Sequence, residues 1–116
     1  MFTFLHYPKC TTCKKARKWL DEHGVAYTPR NIKTQPPALD ELRTWYQASG
    51  LPLKRFFNTS GLIYKSMGLK NKLTVLSEEE QLILLAADGM LVRRPILTDG
   101  SRILVGFSPE QWAQIL

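Results

Sequence analysis

The feature that most constrains this 116-residue sequence is a cysteine pair, Cys10-Thr11-Thr12-Cys13, lodged between an extended run and a helical one. Before it, Phe2-Thr3-Phe4-Leu5-His6 is rich in strand formers and alternates in size and polarity, which predicts a strand. Tyr7-Pro8-Lys9 breaks that strand. From Thr11 to His23 there is no Gly or Pro, and Cys13, Ala16, Leu20 and His23 recur at helical spacing. Gly24 stands where a helix C-cap is expected, and Val25 to Ile32 is a second extended candidate. Strand, turn, helix and strand make a βαβ unit, whose crossover sets two parallel strands in a right-handed connection. Cys10 thus falls where a strand hands over to a helix.

The rest of the chain limits how that unit can be completed. Pro36-Pro37 opens a helix with Leu39, Leu42 and Tyr46 on one stripe and Gly50 at its end. Leu51 to Leu73 reads as irregular, with short helical pieces around Phe56 and from Leu62 to Met67. Ser77-Glu78-Glu79-Glu80 is a capping box, starting a helix that runs through Leu82, Leu85 and Ala86 to Gly89. Ile96-Leu97 and Ile103-Leu104-Val105 flank Asp99-Gly100, a hairpin turn signal. Ser108-Pro109-Glu110-Gln111 caps a last helix carrying Trp112 and Ile115. The order is β-α-β, a helical middle, then β-β-α. That predicts an α/β protein with a thioredoxin/glutaredoxin-like fold, one domain over 1–116, with a helical insertion at about 36–90 between the two halves. Repeats, low-complexity segments and linkers are absent from the sequence.

The placement of the cysteines predicts their chemistry. The first turn of a helix has unpaired N–H groups and a partial positive charge, which favour a thiolate. Cys10 is the expected nucleophile, with Lys9, Lys14 and Arg17 adding positive charge nearby. Cys13, one turn into the helix, would resolve a mixed disulfide on Cys10. Thr11 and Thr12, between them, are candidate substrate-binding positions. Zinc held by the cysteines with His6 and His23 is disfavoured, because structural zinc uses two ligand pairs at motif spacing. His23 suits a helix C-terminus instead. A CxxC after the first strand of a βαβ unit favours redox chemistry over two unrelated buried cysteines. With no transmembrane segment or signal peptide, the expected compartment is the cytoplasm, where thiols stay reduced.

The formal charge is +6, from 16 Lys and Arg against 10 Asp and Glu. No acidic residue lies between Glu41 and Glu78. Such asymmetry fits an anionic substrate or an acidic partner, although Lys65 and Lys70 read as ordinary solvated residues. A recognition helix for DNA is not apparent, so direct nucleic-acid binding is not expected. Arg93-Arg94-Pro95 precedes the hairpin. A proline at this point in a thioredoxin-like fold faces the active-site cysteine, which makes Pro95 a substrate-binding candidate. Arg94 beside it is expected to point at Cys10 and stabilise negative charge; Arg93 is expected to be exposed.

The segments Tyr7-Pro8-Lys9-Cys10-Thr11-Thr12-Cys13-Lys14-Lys15-Ala16-Arg17, Arg30-Asn31-Ile32, Leu91-Val92-Arg93-Arg94-Pro95-Ile96 and Val105-Gly106-Phe107 together resemble the ArsC/Spx family of thioredoxin-fold proteins. The resemblance covers essentially the whole chain. It implies one of two functions. Arsenate reductases of this family use a cysteine matching Cys10 and hold arsenate with three arginines. One of these corresponds to Arg94. The others are replaced around Asn58, near Arg55, and near Gly106, which should weaken oxyanion binding. Spx-like regulators carry a CxxC redox switch and bind the C-terminal domain of the RNA polymerase α-subunit. The middle segment, Phe56 to Gly61 and Lys70 to Leu73, departs from the Spx pattern. The resemblance therefore favours a thiol-dependent reductase, with the polymerase-binding regulator as the alternative. It implies no bound metal or organic cofactor, and glutathione, glutaredoxin or thioredoxin as the reductant.

Overall fold

Phe4 and Leu5 are adjacent in sequence and point to opposite faces of one strand, yet neither exposes any surface. A strand buried on both faces must lie inside a sheet covered on both sides. The computed structural model, which describes residues 1–116, shows how. The strands are β1 (Phe2–His6), β2 (Tyr27–Asn31), β3 (Ile96–Thr98) and β4 (Ile103–Val105), in spatial order β2-β1-β3-β4. β1 is parallel to β2 and antiparallel to β3, and β3 is antiparallel to β4. The helices are α1 (Thr11–Glu22), α2 (Leu39–Ser49), α3 (Leu62–Ser66), α4 (Leu69–Lys72), α5 (Glu78–Ala87) and α6 (Pro109–Ile115). The expected βαβ and ββα halves are present, with α2 to α5 between them.

Register divides the core. Phe4 pairs with Leu97, and Leu97 with Leu104. These three face α1 and α6 and pack with Ala16, Leu20 and Trp112. On the other face, Leu5 pairs with Ile96, and both pack under α2, α5 and the middle segment, against Leu42, Phe56, Phe57 and Leu85. Two apolar layers thus sandwich the sheet.

Element ends follow local chemistry. Gly24 and Gly50 have φ near +65°, where a glycine lets the chain leave α1 and α2. The second strand is shorter than Val25 to Ile32, and Pro29 is tolerated within it because β2 is an edge strand. α2 begins at Leu39, after the prolines, and Glu41 accepts from the Ala38 N–H at 2.9 Å. At α5 the Ser77 hydroxyl accepts from the Glu80 N–H while Glu80 accepts from the Ser77 N–H. That helix stops at Ala87, before Gly89, because the Asp88 carboxylate accepts from the Met90 N–H and starts a 3₁₀ turn over Gly89–Leu91. The hairpin loop is four residues, 99–102, rather than the Asp99-Gly100 pair alone. Asp99 accepts from the Ser101 and Arg102 backbone N–H groups, and Gly100 adopts φ +97°.

Candidate active site

The site forms where four segments converge beyond the ends of β1, β3 and β4. The first is the β1–α1 junction. The Cys10 N–H donates to the Tyr7 carbonyl at 2.9 Å, closing the turn after β1. Cys10 then occupies the N-cap of α1 with extended backbone angles, φ −84° and ψ 121°. Its side chain is therefore beside the unpaired N–H groups of the first turn. Cys13, one turn on, faces inward and is 1% exposed.

The second and third segments are tied to each other by backbone hydrogen bonds. The Arg93 N–H donates to the Phe56 carbonyl at 2.8 Å, and the Asn58 N–H donates to the Leu91 carbonyl at 2.8 Å. This short antiparallel bridge pairs Phe57 with Val92 and sets Asn58, Thr59 and Ser60 opposite the two arginines. The Arg94–Pro95 peptide is cis. The fourth segment follows β4: the Gly106 N–H donates to the Pro95 carbonyl at 2.8 Å, and the indole N–H of Trp112 donates to the Gly106 carbonyl at 3.2 Å.

Between these segments lies a cleft of about 420 Å³. Cys10 and Thr12 form one wall, Asn58 to Ser60 a second, and Arg93, Arg94 and Gly106 a third. No Asp or Glu lines it. A second hollow, of about 500 Å³, shares Asn58, Ser60 and Arg94 and adds Leu62, Ile63 and Met90.

The electrostatics separate the two thiols. Burial pushes the Cys10 thiol up, but hydrogen bonds from the Cys13 backbone N–H and the Cys13 thiol, with Arg94, outweigh it. The net effect is a pKa below the ordinary 9.0. Arg94 acts by hydrogen bonding and by charge. It is anchored by donating to the Met90 carbonyl at 3.1 Å and lies 5.4 Å over the Tyr7 ring. Cys13 behaves in the opposite way: burial above all, then the hydrogen bond and charge of Cys10, push its thiol up to about 12. The lowered pKa at Cys10 and the raised one at Cys13 make Cys10 the thiol that ionises first, and so the more reactive of the two.

The structure therefore brings Cys10, Cys13 and Arg94 together, with Thr12 on the cleft wall. Thr11 is exposed and does not line the cleft. Pro95 is buried beneath it, holding Gly106 through its carbonyl. Two expectations are corrected. Arg93 is not an exposed arginine; it is half-buried and lines the cleft, because the bridge to Phe56 turns this segment inward. The cation acting on Cys10 is Arg94 rather than Lys9, Lys14 or Arg17. Arg17 faces away, donating to the Tyr27 hydroxyl at 3.2 Å and lowering the His6 pKa, which burial depresses first. His23 caps α1, donating from Nδ1 to the Trp19 carbonyl at 2.8 Å and stacking on the Trp19 ring. Asn58 to Ser60 were not singled out as cleft residues by the sequence. Their only signal was the departure at Asn58 from the arginine of related reductases.

Comparison with known proteins bears on the family and the fold. The chain is 54% identical over 112 residues to the uncharacterized protein YusI of Bacillus subtilis (strain 168), covering 97% of this chain and 95% of that one. It is 48% identical to a possible arsenate reductase from Streptococcus mutans UA159, whose crystal structure superposes with a TM-score of 0.87, covering 92% and 91% of the two chains. It is also 30% identical over 116 residues to the global transcriptional regulator Spx of Listeria innocua, covering 100% of this chain and 87% of that one. With the ArsC family model matching residues 5–115, and the cysteine cleft where the βαβ and ββα halves meet, this chain belongs to the ArsC family.

Proposed function

We propose that this protein is a thiol–disulfide oxidoreductase in which Cys10 is the nucleophile and Cys13 the resolving thiol. The observation that carries this reading is geometric: Cys10 stands at the N-cap of α1 on one cleft with Arg94, and Cys13 is buried one turn on, so the first thiol ionises more readily and the second less. The Cys10 thiolate attacks one sulfur of a substrate disulfide, forming a bond to it and expelling the other sulfur as a thiolate. Cys13 loses its proton and attacks Cys10, releasing the bound half as a second thiolate. The protein is left with a Cys10–Cys13 disulfide, having given two electrons to the substrate. An external dithiol of the glutaredoxin or thioredoxin kind restores both thiols by the same exchange. Arg94 holds the negative charge on Cys10 between steps. The chemistry needs no metal or organic cofactor. We place it in the cytoplasm, where such dithiols are maintained.

The test is to mix reduced protein with a neutral disulfide, quench in acid and identify the products by mass. Wild type should yield the internal disulfide, Cys13→Ser should stop at a mixed disulfide on Cys10, and Cys10→Ser should form neither. Turnover is then read as NADPH oxidation coupled to glutaredoxin or thioredoxin, with arsenate or a disulfide as substrate. A Cys10→Ser protein matching wild type in both assays would sink the reading.

Likeness over the full chain to an Spx regulator supports a second reading, a redox-sensing protein that binds the C-terminal domain of the α-subunit in RNA polymerase. If that domain were captured in one redox state, without turnover on any disulfide, this second reading would be favoured. Absence of capture in both states would end it.

A further inference from the structure

Arg93 is a half-buried guanidinium that makes no hydrogen bond or ion pair with its own side chain anywhere in the protein. Its backbone is fixed by the bond to Phe56, and its head lies on Gly106. A Cβ built on Gly106 would be 2.7 Å from Arg93 Nε, 3.2 Å from Nη2 and 3.3 Å from Cζ, so the guanidinium occupies space that only glycine leaves open. Arg94 is different: it is engaged by the Met90 carbonyl and by Cys10. The cleft thus holds one arginine devoted to the thiol and a second whose donors are free. No carboxylate of the chain reaches that second cation, and hydroxyl and amide groups of Asn58, Thr59 and Ser60 complete the lining.

A partly desolvated cation without a partner is costly unless a ligand supplies the anion, and the flat arginine fork matches a carboxylate. The cleft's 420 Å³ lies in the range of small organic ligands. We infer that Arg93 is a specificity-determining residue that selects carboxylate-bearing low-molecular-weight disulfides, seating their carboxylate while a sulfur meets Cys10. This rests on the proposed oxidoreductase reading, and the exchange balances as written there.

The experiment compares second-order rates of the reduced protein with two chromogenic disulfides, carboxylated 5,5′-dithiobis(2-nitrobenzoate) and uncharged 4,4′-dithiodipyridine. The quantity read is the ratio of the first rate to the second. In Arg93→Gln the ratio should fall about tenfold, equivalent to about 1.4 kcal/mol, and Arg93→Lys should recover part of it. Lys14→Gln removes the same charge from an exposed position of α1 outside the cleft. It should move the ratio by less than about twofold, the size expected of a screened surface charge. A ratio in Arg93→Gln within twofold of wild type overturns the inference, as does an equal fall in Lys14→Gln, which would assign the preference to overall charge. Failure of the oxidoreductase reading looks different: Cys10→Ser would then react with both probes as wild type does.

Discussion

Replacing Arg94 with Gln should make Cys10 slower on the acid side of its titration and faster at high pH, so that the two pH–rate curves cross. Arg94 lowers the Cys10 pKa by a hydrogen bond and a charge, while the N–H groups of α1 remain in the variant. A charge-assisted hydrogen bond contributes about 1.5–3 kcal/mol. The Arg94 side chain is partly in solvent, so screening brings the effect just below that range, to about 1.4 kcal/mol. That energy is a tenfold loss of thiolate below the titration range. The surviving thiolate is more basic, however, and nucleophilicity rises with basicity with a slope of about 0.4–0.5. A tenfold gain in basicity then returns roughly threefold in intrinsic rate. The net expectation is a reaction about threefold slower on the acid side of the Cys10 titration and about threefold faster once Cys10 is ionised in both proteins. Iodoacetamide is the right reagent because it is uncharged, so Arg94 cannot act by attracting it. Rates measured from pH 5 to the alkaline limit of stability give both arms. Curves offset by one factor at every pH, with no crossing, would refute the thiolate argument and leave Arg94 a packing residue.

Three further outcomes follow from the same geometry. A brief iodoacetamide pulse at pH 7, followed by peptide mapping, should label Cys10 and spare Cys13, which is buried with its thiol pushed up to about 12; equal labelling would contradict the assignment. Glu41 is held below its ordinary value of 4.5, first by its hydrogen bond from Arg30. Its contribution is therefore complete above that value and lost as pH falls through the lower, folded-state value. In urea titrations Glu41→Gln should cost about 1 kcal/mol at pH 7, and a gap that fails to narrow toward pH 3 would discount the pair. Gly89→Ala should be severe, because its Cβ would lie 1.9 Å from the Ile32 carbonyl oxygen, a backbone atom that cannot swing away. A loss of about 3 kcal/mol would lower the melting temperature by at least about 12 °C; a loss below 3 °C would show that the two segments are not in contact.

The parts of this fold that a reader could take from the sequence are those set by neighbours in the chain. The capping box at Ser77 and Glu80, the glycine ends at Gly24 and Gly50, and the strand–CxxC–helix succession all depend on residues a few positions apart. Arg94 was within reach because it precedes a proline at a strand start. Arg93 was not. Its direction is decided by the bond between its N–H and the Phe56 carbonyl, and by the open face of Gly106, both remote in sequence. The same limit explains the misplaced role of Lys9, Lys14 and Arg17. Their nearness to Cys10 along the chain says nothing of side-chain direction, and Arg17 lies on the side of α1 that meets Tyr27. Strand limits also depended on partners: β2 is as long as its pairing with β1, from Tyr27 to Asn31.

The division of labour between the cysteines also supplies the timing of the proposed exchange. Three of the influences on Cys13 push its thiol up: burial, the hydrogen bond of Cys10 and the charge of Cys10. The Tyr7 backbone and Arg94 act the other way. Once Cys10 has formed a mixed disulfide, its sulfur no longer carries a negative charge, so that repulsion ends and the hydrogen bond to a thiolate is lost. The Tyr7 backbone and Arg94 contributions remain, and Arg94, relieved of the Cys10 thiolate, is left with one sulfur able to become an anion. The Cys13 pKa must therefore fall on substrate attachment. A resolving thiol that is inert while Cys10 is free and more acidic once Cys10 is bonded cannot compete for the substrate, and becomes a nucleophile when there is a disulfide within its reach.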